Sequence, residues 1–186
     1  MATKTSKGGT SGQQPGEWNP ALTDEFLDAT TFEQLLEMDD DDTREFSKGI
    51  VWNYFDQVKG SFAPIEEGMY DFRAFGGWLM YPSRKRDLQS LSSLGHFLKG
   101  SSAAVGLIKL KASCEKIQNY GNKLDETGTH PISEDDALAK IADVLIVTKK
   151  DFGDAEVWLK RFYGEDPWKD DITTKSFVMR QLLYFI

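Results

Sequence analysis

The chain has 186 residues, of which 40% are apolar and 28% charged, with a formal net charge of −8; this is the make-up of one globular domain long enough to bury a real core. The acidic balance argues against a nucleic-acid binder, which needs a basic face, and no apolar run approaches the length of a membrane span. Cys114 is the sole cysteine, which excludes an intramolecular disulfide, and with no apolar leader the chain reads as intracellular and soluble.

Residues 1–17 are dominated by Gly, Ser, Thr, Lys and Gln and are expected to form a disordered tail. A short helix is predicted over residues 31–38, with Thr31 and Gln34 placed as a capping box. The four aspartates at 39–42 then supply acidic groups to the start of the next helix, where its dipole favours them. That second helix is predicted over residues 43–63, with Val51, Tyr54, Phe55, Val58 and Phe62 on its buried face and Pro64 closing it. Residues 67–86 carry five aromatics, three glycines and the basic run Arg84-Lys85-Arg86. They fit no helical pattern and are expected to be an insertion that lays its aromatics on the domain, with a partner-specific loop as the other reading.

A third helix is predicted over residues 86–104, burying Leu91, Leu94, Leu98, Ser102 and, just beyond it, Val105; Gly106 marks a tight turn. The fourth has the cleanest periodicity, through Leu107, Leu110, Cys114, Ile117, Gly121 and Leu124. Ser133 with Asp136 caps the fifth, whose stripe runs from Leu138, Ile141 and Leu145 through Thr148 and Phe152 to Ala155 and Leu159. Nothing alternates with period two. The expected fold class is all-α, an antiparallel up-down-up-down four-helix bundle at 18–163 with a short N-terminal lid helix, followed by an extension at 164–186.

Within this frame His96 is conspicuous. At about 100° per residue it lies roughly 160° from the centre of its helix's apolar stripe, so it projects into solvent. Gly100 sits one turn on and Lys99 lies on the same side. A neutral imidazole is a nucleophile at cellular pH, a glycine leaves room for an incoming phosphoryl group, and a lysine offsets its charge. Gly costs about 1 kcal/mol relative to Ala inside a helix, and on a solvent face no packing repays it. If the third and fourth helices turn at Gly106, residues equally far before and after it are level. His96 then lies opposite 116–118, where the amide of Gln118 is suited to hold a ring nitrogen or a phosphoryl oxygen.

The run Leu94-Gly95-His96-Phe97-Leu98-Lys99-Gly100-Ser101-Ser102-Ala103 resembles the phosphoacceptor helix of histidine-containing phosphotransfer (HPt) proteins, most nearly the stand-alone fungal kind. Met38 with the four aspartates, Phe46-Ser47-Lys48-Gly49 and Cys114-Glu115-Lys116-Ile117-Gln118 extend the likeness over roughly 30–66 and 88–163. It implies that His96 accepts phosphate from the receiver domain of a hybrid histidine kinase and hands it to response regulators, and it points to the same glutamine, Gln118. It further implies that the chain is no enzyme itself, needs no cofactor, and relies on Mg²⁺ bound by the partner receiver. A monomer found in cytoplasm and nucleus is expected, in phosphorelay signalling under stress, with no nucleic-acid or membrane partner. The alternative is a helical-bundle adaptor that transfers nothing.

Docking needs an apolar surface beside the histidine. Phe46 and Ile50 lie roughly 100° from the stripe of the second helix, too far round to be wholly buried, and Leu35 and Met38 share a face of the lid. With Gly100 and Phe97 they match the family's receiver-binding patch. No metal site is expected: Ser93 stands where a Glu-x-x-His ligand pair would need an acid, the aspartate run reads as solvated capping, and His130, before Pro131 in a loop, is given no role.

Overall fold

The computed structural model describes residues 26–69 and 87–167. These form five helices, α1 (Ala29–Leu36), α2 (Glu45–Met69), α3 (Leu88–Val105), α4 (Ile108–Gly121) and α5 (Glu134–Phe162). The expected tail at 1–17, all but the first three residues of the insertion, and the extension from Trp168 onward lie outside the described residues.

Helices α2 to α5 make an antiparallel four-helix bundle. Tyr54 meets Ser102, Gln57 meets Ser101 and Gly68 approaches Leu91, so α2 rises as α3 descends. Gly95 lies against Gln118 and Gly121 against Ser92, so α3 and α4 run opposite ways. Most of the apolar faces read from the sequence are buried: Val51, Tyr54, Phe55 and Val58 on α2, Leu91 and Leu98 on α3, Leu110, Cys114 and Ile117 on α4, and Ile141, Leu145, Phe152 and Leu159 on α5; Phe62, Leu94 and Leu124, expected with them, are only half-buried at the margins. Aromatics fill the space between α2 and α5, with Phe152 edge-on to both Phe55 and Phe62 and Trp52 edge-on to Tyr163.

Three local expectations are corrected. Asp28, not Thr31, caps α1: its carboxylate accepts from the Thr30 amide at 3.1 Å and from the Thr31 hydroxyl at 2.9 Å, satisfying donors the helix start leaves open. Those bonds, the Thr31 hydroxyl first, hold the Asp28 carboxyl below the usual range. The helix therefore starts at Ala29, two residues early, and stops at Leu36. Pro64 does not close α2, which continues to Met69. The proline ring removes the amide that would serve the Gly60 carbonyl, but Pro64 and Gly60 both lie on the exposed side of the helix, and burial of Ile65 and Met69 carries the last turn. Residues 67–69, expected in the insertion, are thus helical.

The ends of the remaining helices follow the sequence closely. Asp87 caps α3 through the Ser90 amide, Gly106 ends it at φ 83°, where only glycine is unstrained, and Ser133 caps α5 through the Asp136 amide. Of the aspartates at 39–42, Asp39 reaches α2, accepting from the Ser47 amide at 2.9 Å, whereas Asp41 folds back on Thr43. Helix α4 has no side-chain cap. Its Ile108 amide instead donates to the Phe26 carbonyl at 2.9 Å, and the Asp28 amide donates to the Gly106 carbonyl at 2.7 Å. This clip fastens the segment before α1 to the α3–α4 turn, while Phe32 packs edge-on to Trp158 and Phe162 of α5.

In the core the Tyr54 hydroxyl and Ser102 hydroxyl are 3.0 Å apart, with Cys114 beside Ser102. Burial pushes the Cys114 thiol up to about 12, the Ser102 hydrogen bond acting the other way. The thiolate is the reactive species, so at pH 8 a thiol reagent is expected to leave the folded protein almost unmodified and to react fully after denaturation. Comparable rates in the two states would mean that Cys114 is not enclosed.

Candidate functional site

His96 lies midway along α3 and is exposed, as its angle from the stripe requires. A Cβ built on Gly100 would meet nothing within 4 Å among the described residues, whereas one on Gly95 would lie 2.6 Å from the Gln118 backbone nitrogen and 2.9 Å from the Cys114 carbonyl oxygen. The two glycines flanking the histidine therefore do different things. Gly100, one turn on from the histidine, leaves its own stretch of the α3 surface free of a side chain. Gly95 lets α4 come into backbone contact with α3, which sets residues 114–118 beside the histidine. Sequence reading missed Gly95; its signal was a second helical glycine opposite 118 in the hairpin register.

Lys99 reaches sideways rather than outward, with its Nζ 3.5 Å from Glu115 Oε1 on α4. Gln118 is brought level with His96, as expected. Its Oε1 is buried and has no hydrogen-bond partner among the described residues, so of the two expected roles of the amide the oxygen does not hold the ring here. A buried acceptor left unpaired costs about 1–3 kcal/mol, and this one belongs to the residue whose backbone meets Gly95, next to His96 in the chain.

The proposed docking residues divide. Met38, Phe46 and Phe97 are exposed at 57%, 49% and 51%, as Ile146 and Val147 of α5 also are at 71% and 52%, and Ile50 is half-buried. Phe46, Ile50 and Gln57 lie along one side of α2, and the Ser101 hydroxyl donates to Gln57 Oε1 at 2.9 Å, which joins that side to α3 beside Phe97. Leu35 is a correction: it is 5% exposed and belongs to the core. Because α1 starts at Ala29, Phe32 and Leu35 form its inward face, and Met38 lies beyond the helix's C-cap at Glu37, so the two do not share a face.

His130 also has a role that was not expected. Its Nδ1 is 2.9 Å from Asp125 Oδ2, and Asp125 further accepts from the Thr127 hydroxyl and Thr129 amide. The Thr129 amide above all, then the Thr127 hydroxyl, holds the Asp125 carboxyl well below the usual range. This set shapes the α4–α5 turn. Among the described residues no group of three His, Cys, Asp or Glu side chains is placed to hold a metal, and no helix is long and apolar enough to cross a membrane.

Residues 51–146 match the family model of the Hpt domain. The chain belongs to that family. Among curated relatives of this Hpt protein, multistep phosphorelay regulator 1 of Schizosaccharomyces pombe is 44% identical over 143 residues, covering 76% of this chain and 44% of that protein. Phosphorelay intermediate protein YPD1 of Saccharomyces cerevisiae is 38% identical over 104 residues, 56% of this chain and 54% of that one. The chain thus spans about half the length of the curated relatives it matches. Among solved structures, S. cerevisiae Ypd1 in co-crystal with the receiver domain of its downstream response regulator Ssk1 superposes with a TM-score of 0.58 at 30% identity, covering 75% of this chain and 95% of that one. The Hpt match encloses His96, Lys99, Gly100 and Gln118.

Proposed function

We propose that this chain is a histidine phosphotransfer intermediate of a multistep His–Asp phosphorelay, taking phosphate on His96 from the receiver domain of a hybrid kinase and passing it to the Asp of a response regulator. The observation that carries the reading is His96 itself, exposed on α3 one turn before the unfilled position at Gly100 and on the same side as Lys99, in a chain of the Hpt family. Ypd1 has been crystallised with a receiver domain, which supports the same class of partner here.

In the forward step the lone pair of one ring nitrogen attacks phosphorus, the P–O bond to the aspartyl carboxylate breaks, and that carboxylate leaves with the electron pair. The other ring nitrogen keeps its proton. The reverse sequence loads the downstream aspartate, so no net proton or electron is consumed. The imidazolium formed is a hydrogen-bond donor, and Gln118, whose backbone lies against Gly95 next to the histidine, carries an amide oxygen that has no partner among the described residues; a hydrogen bond between them would favour the phosphorylated form. Lys99 supplies charge compensation. The docked receiver completes the in-line site and brings its own Mg²⁺, so this chain acts as carrier rather than kinase, as a monomer in cytoplasm and nucleus.

Incubation with a phosphorylated receiver domain tests this directly. Acid-labile, alkali-stable label on the chain is expected; a chain that binds the receiver but takes no label would instead be an adaptor. Docking is tested by titrating one receiver against alanine variants of Met38, Phe46 and Phe97. Hot-spot truncations cost 1–2 kcal/mol or more, so roughly tenfold weaker binding is expected at one or more of these positions. Leu35→Ala should behave differently, lowering stability by about 2–5 kcal/mol as a core truncation. If the three exposed variants bind like wild type, the patch lies elsewhere.

A further inference from the structure

The contact that the phosphotransfer reading leaves unused is the one between Lys99 and Glu115. Lys99 is three residues from His96 on the same side of α3, yet its ammonium is 3.5 Å from the Glu115 carboxylate on α4. The neighbouring lysine is engaged elsewhere, Lys116 with Glu126 at 3.3 Å. Glu115 stands one helical turn before Gln118, and the close approach at Gly95 fixes that turn of α4 against the histidine's helix. A carboxylate on the turn of α4 packed against the histidine's helix is therefore in contact with the cation expected to neutralise the phosphoryl group.

We propose that Glu115 is a positioning residue that keeps the phosphohistidine energetic: it draws Lys99 aside and adds its own negative charge next to the phosphoryl group. The inference rests on the phosphorelay reading and specifies how that site is tuned. A carrier must give up its phosphoryl group as readily as it takes it. Full compensation by Lys99 would deepen the phosphorylated state, because the N–P bond then breaks, its electron pair returning to the ring nitrogen, only after a strong ion pair is lost. With Glu115 competing, Lys99 is shared and part of that stabilisation is withheld. The Lys99 side chain is 26% exposed and that of Glu115 54%. Exposed pairs of this kind shift equilibria only modestly, so about a two- to fivefold effect is expected, a scale that tunes a relay without blocking it.

The test uses a hybrid-kinase receiver domain, labelled through its kinase with radioactive ATP, to phosphorylate wild type, Glu115→Gln, Glu115→Asp, Lys99→Ala and the Lys99→Ala/Glu115→Gln double variant. The readouts are the half-life of label after the receiver is removed and the partition of label when receiver and chain are equilibrated. Glu115→Gln is expected to lengthen the half-life about two- to fivefold and to move label toward the chain by a similar factor, with an unchanged melting temperature. Glu115→Asp should stay near wild type, and the effect of the Gln change should shrink in the Lys99→Ala background and in 1 M salt, where the screening length is about 3 Å. A labelled wild type whose half-life and partition match those of Glu115→Gln overturns this inference alone. So does a Gln effect of full size without Lys99, or a lowered melting temperature of the Gln variant. A wild type that takes no label overturns the phosphorelay reading, and this one with it.

Discussion

His96→Gln is expected to reduce labelling by a phosphorylated receiver to background while leaving the helical circular-dichroism signal and melting temperature of the wild type. The two halves of that result have separate causes. Glutamine offers no nucleophilic nitrogen, so the N–P bond has no place to form. His96 is exposed, and a solvent-face substitution away from caps and buried networks stays within about 0.5 kcal/mol. The measurement is paired: label retained after alkali, and thermal unfolding of the same preparation. Residual alkali-stable label would put the acceptor elsewhere, and a fall of several degrees in melting temperature would make His96 a structural residue.

Gly95→Ala and Gly100→Gln are expected to move stability in opposite directions, although both are helical glycines within four residues of His96. Gly95→Ala places a methyl group 2.6 Å from a backbone nitrogen and 2.9 Å from a backbone oxygen of α4. Neither is the end of a flexible side chain, so the helices must part. Overpacking of this kind costs about 1–3 kcal/mol, and by moving Gln118 away from His96 it should also slow transfer. Gly100→Gln meets no such obstacle, since nothing among the described residues lies within 4 Å of its Cβ. Helix propensity then favours the variant by roughly 0.5–1 kcal/mol, while the side chain fills the space the phosphoryl group needs; transfer should fall at least about tenfold, or about 1.4 kcal/mol of barrier. Denaturant unfolding combined with receiver-to-chain transfer rates separates the two. A Gly100→Gln protein that transfers normally removes the steric argument, and a Gly95→Ala protein as stable as wild type removes the close-approach argument.

Much of this architecture is legible from side-chain periodicity, because four long helices sharing one core each write a 3.6-residue stripe. The stripe of α5, for example, is buried at Leu138, Ile141, Leu145, Thr148, Phe152, Ala155 and Leu159. The errors fall where a local rule met a tertiary contact. Pro64 reads as a terminator, but the ring faces solvent and the buried Ile65 outweighs the lost hydrogen bond. The capping box at Thr31 reads well, but Asp28 lies in the segment clipped to the α3–α4 turn, a contact some eighty residues away that no window reveals. Shifting the start of α1 moves Leu35 into the core. His96, Lys99, Gly100 and Gln118 were visible as candidates; Gly95 and Glu115 were not, since their parts depend on how closely α4 approaches α3.

The seam between α2 and α5 carries one more message. Lys48 pairs with Glu165 in the turn just after α5, Lys59 with Glu156, and, with the signs exchanged, Glu66 with Lys149. Individually such partly exposed pairs contribute little. Their order along the helices nonetheless encodes direction. Were α5 to lie parallel to α2 over the same span, Lys48 would come level with Lys149 and Glu66 with Glu165, turning two attractions into two repulsions. Had all the positive charge been on α2 and all the negative on α5, either orientation would have been equally well satisfied. The exchange of sign at one end breaks that tie, and so the charges act as a polarity mark for assembling the bundle rather than as its cement.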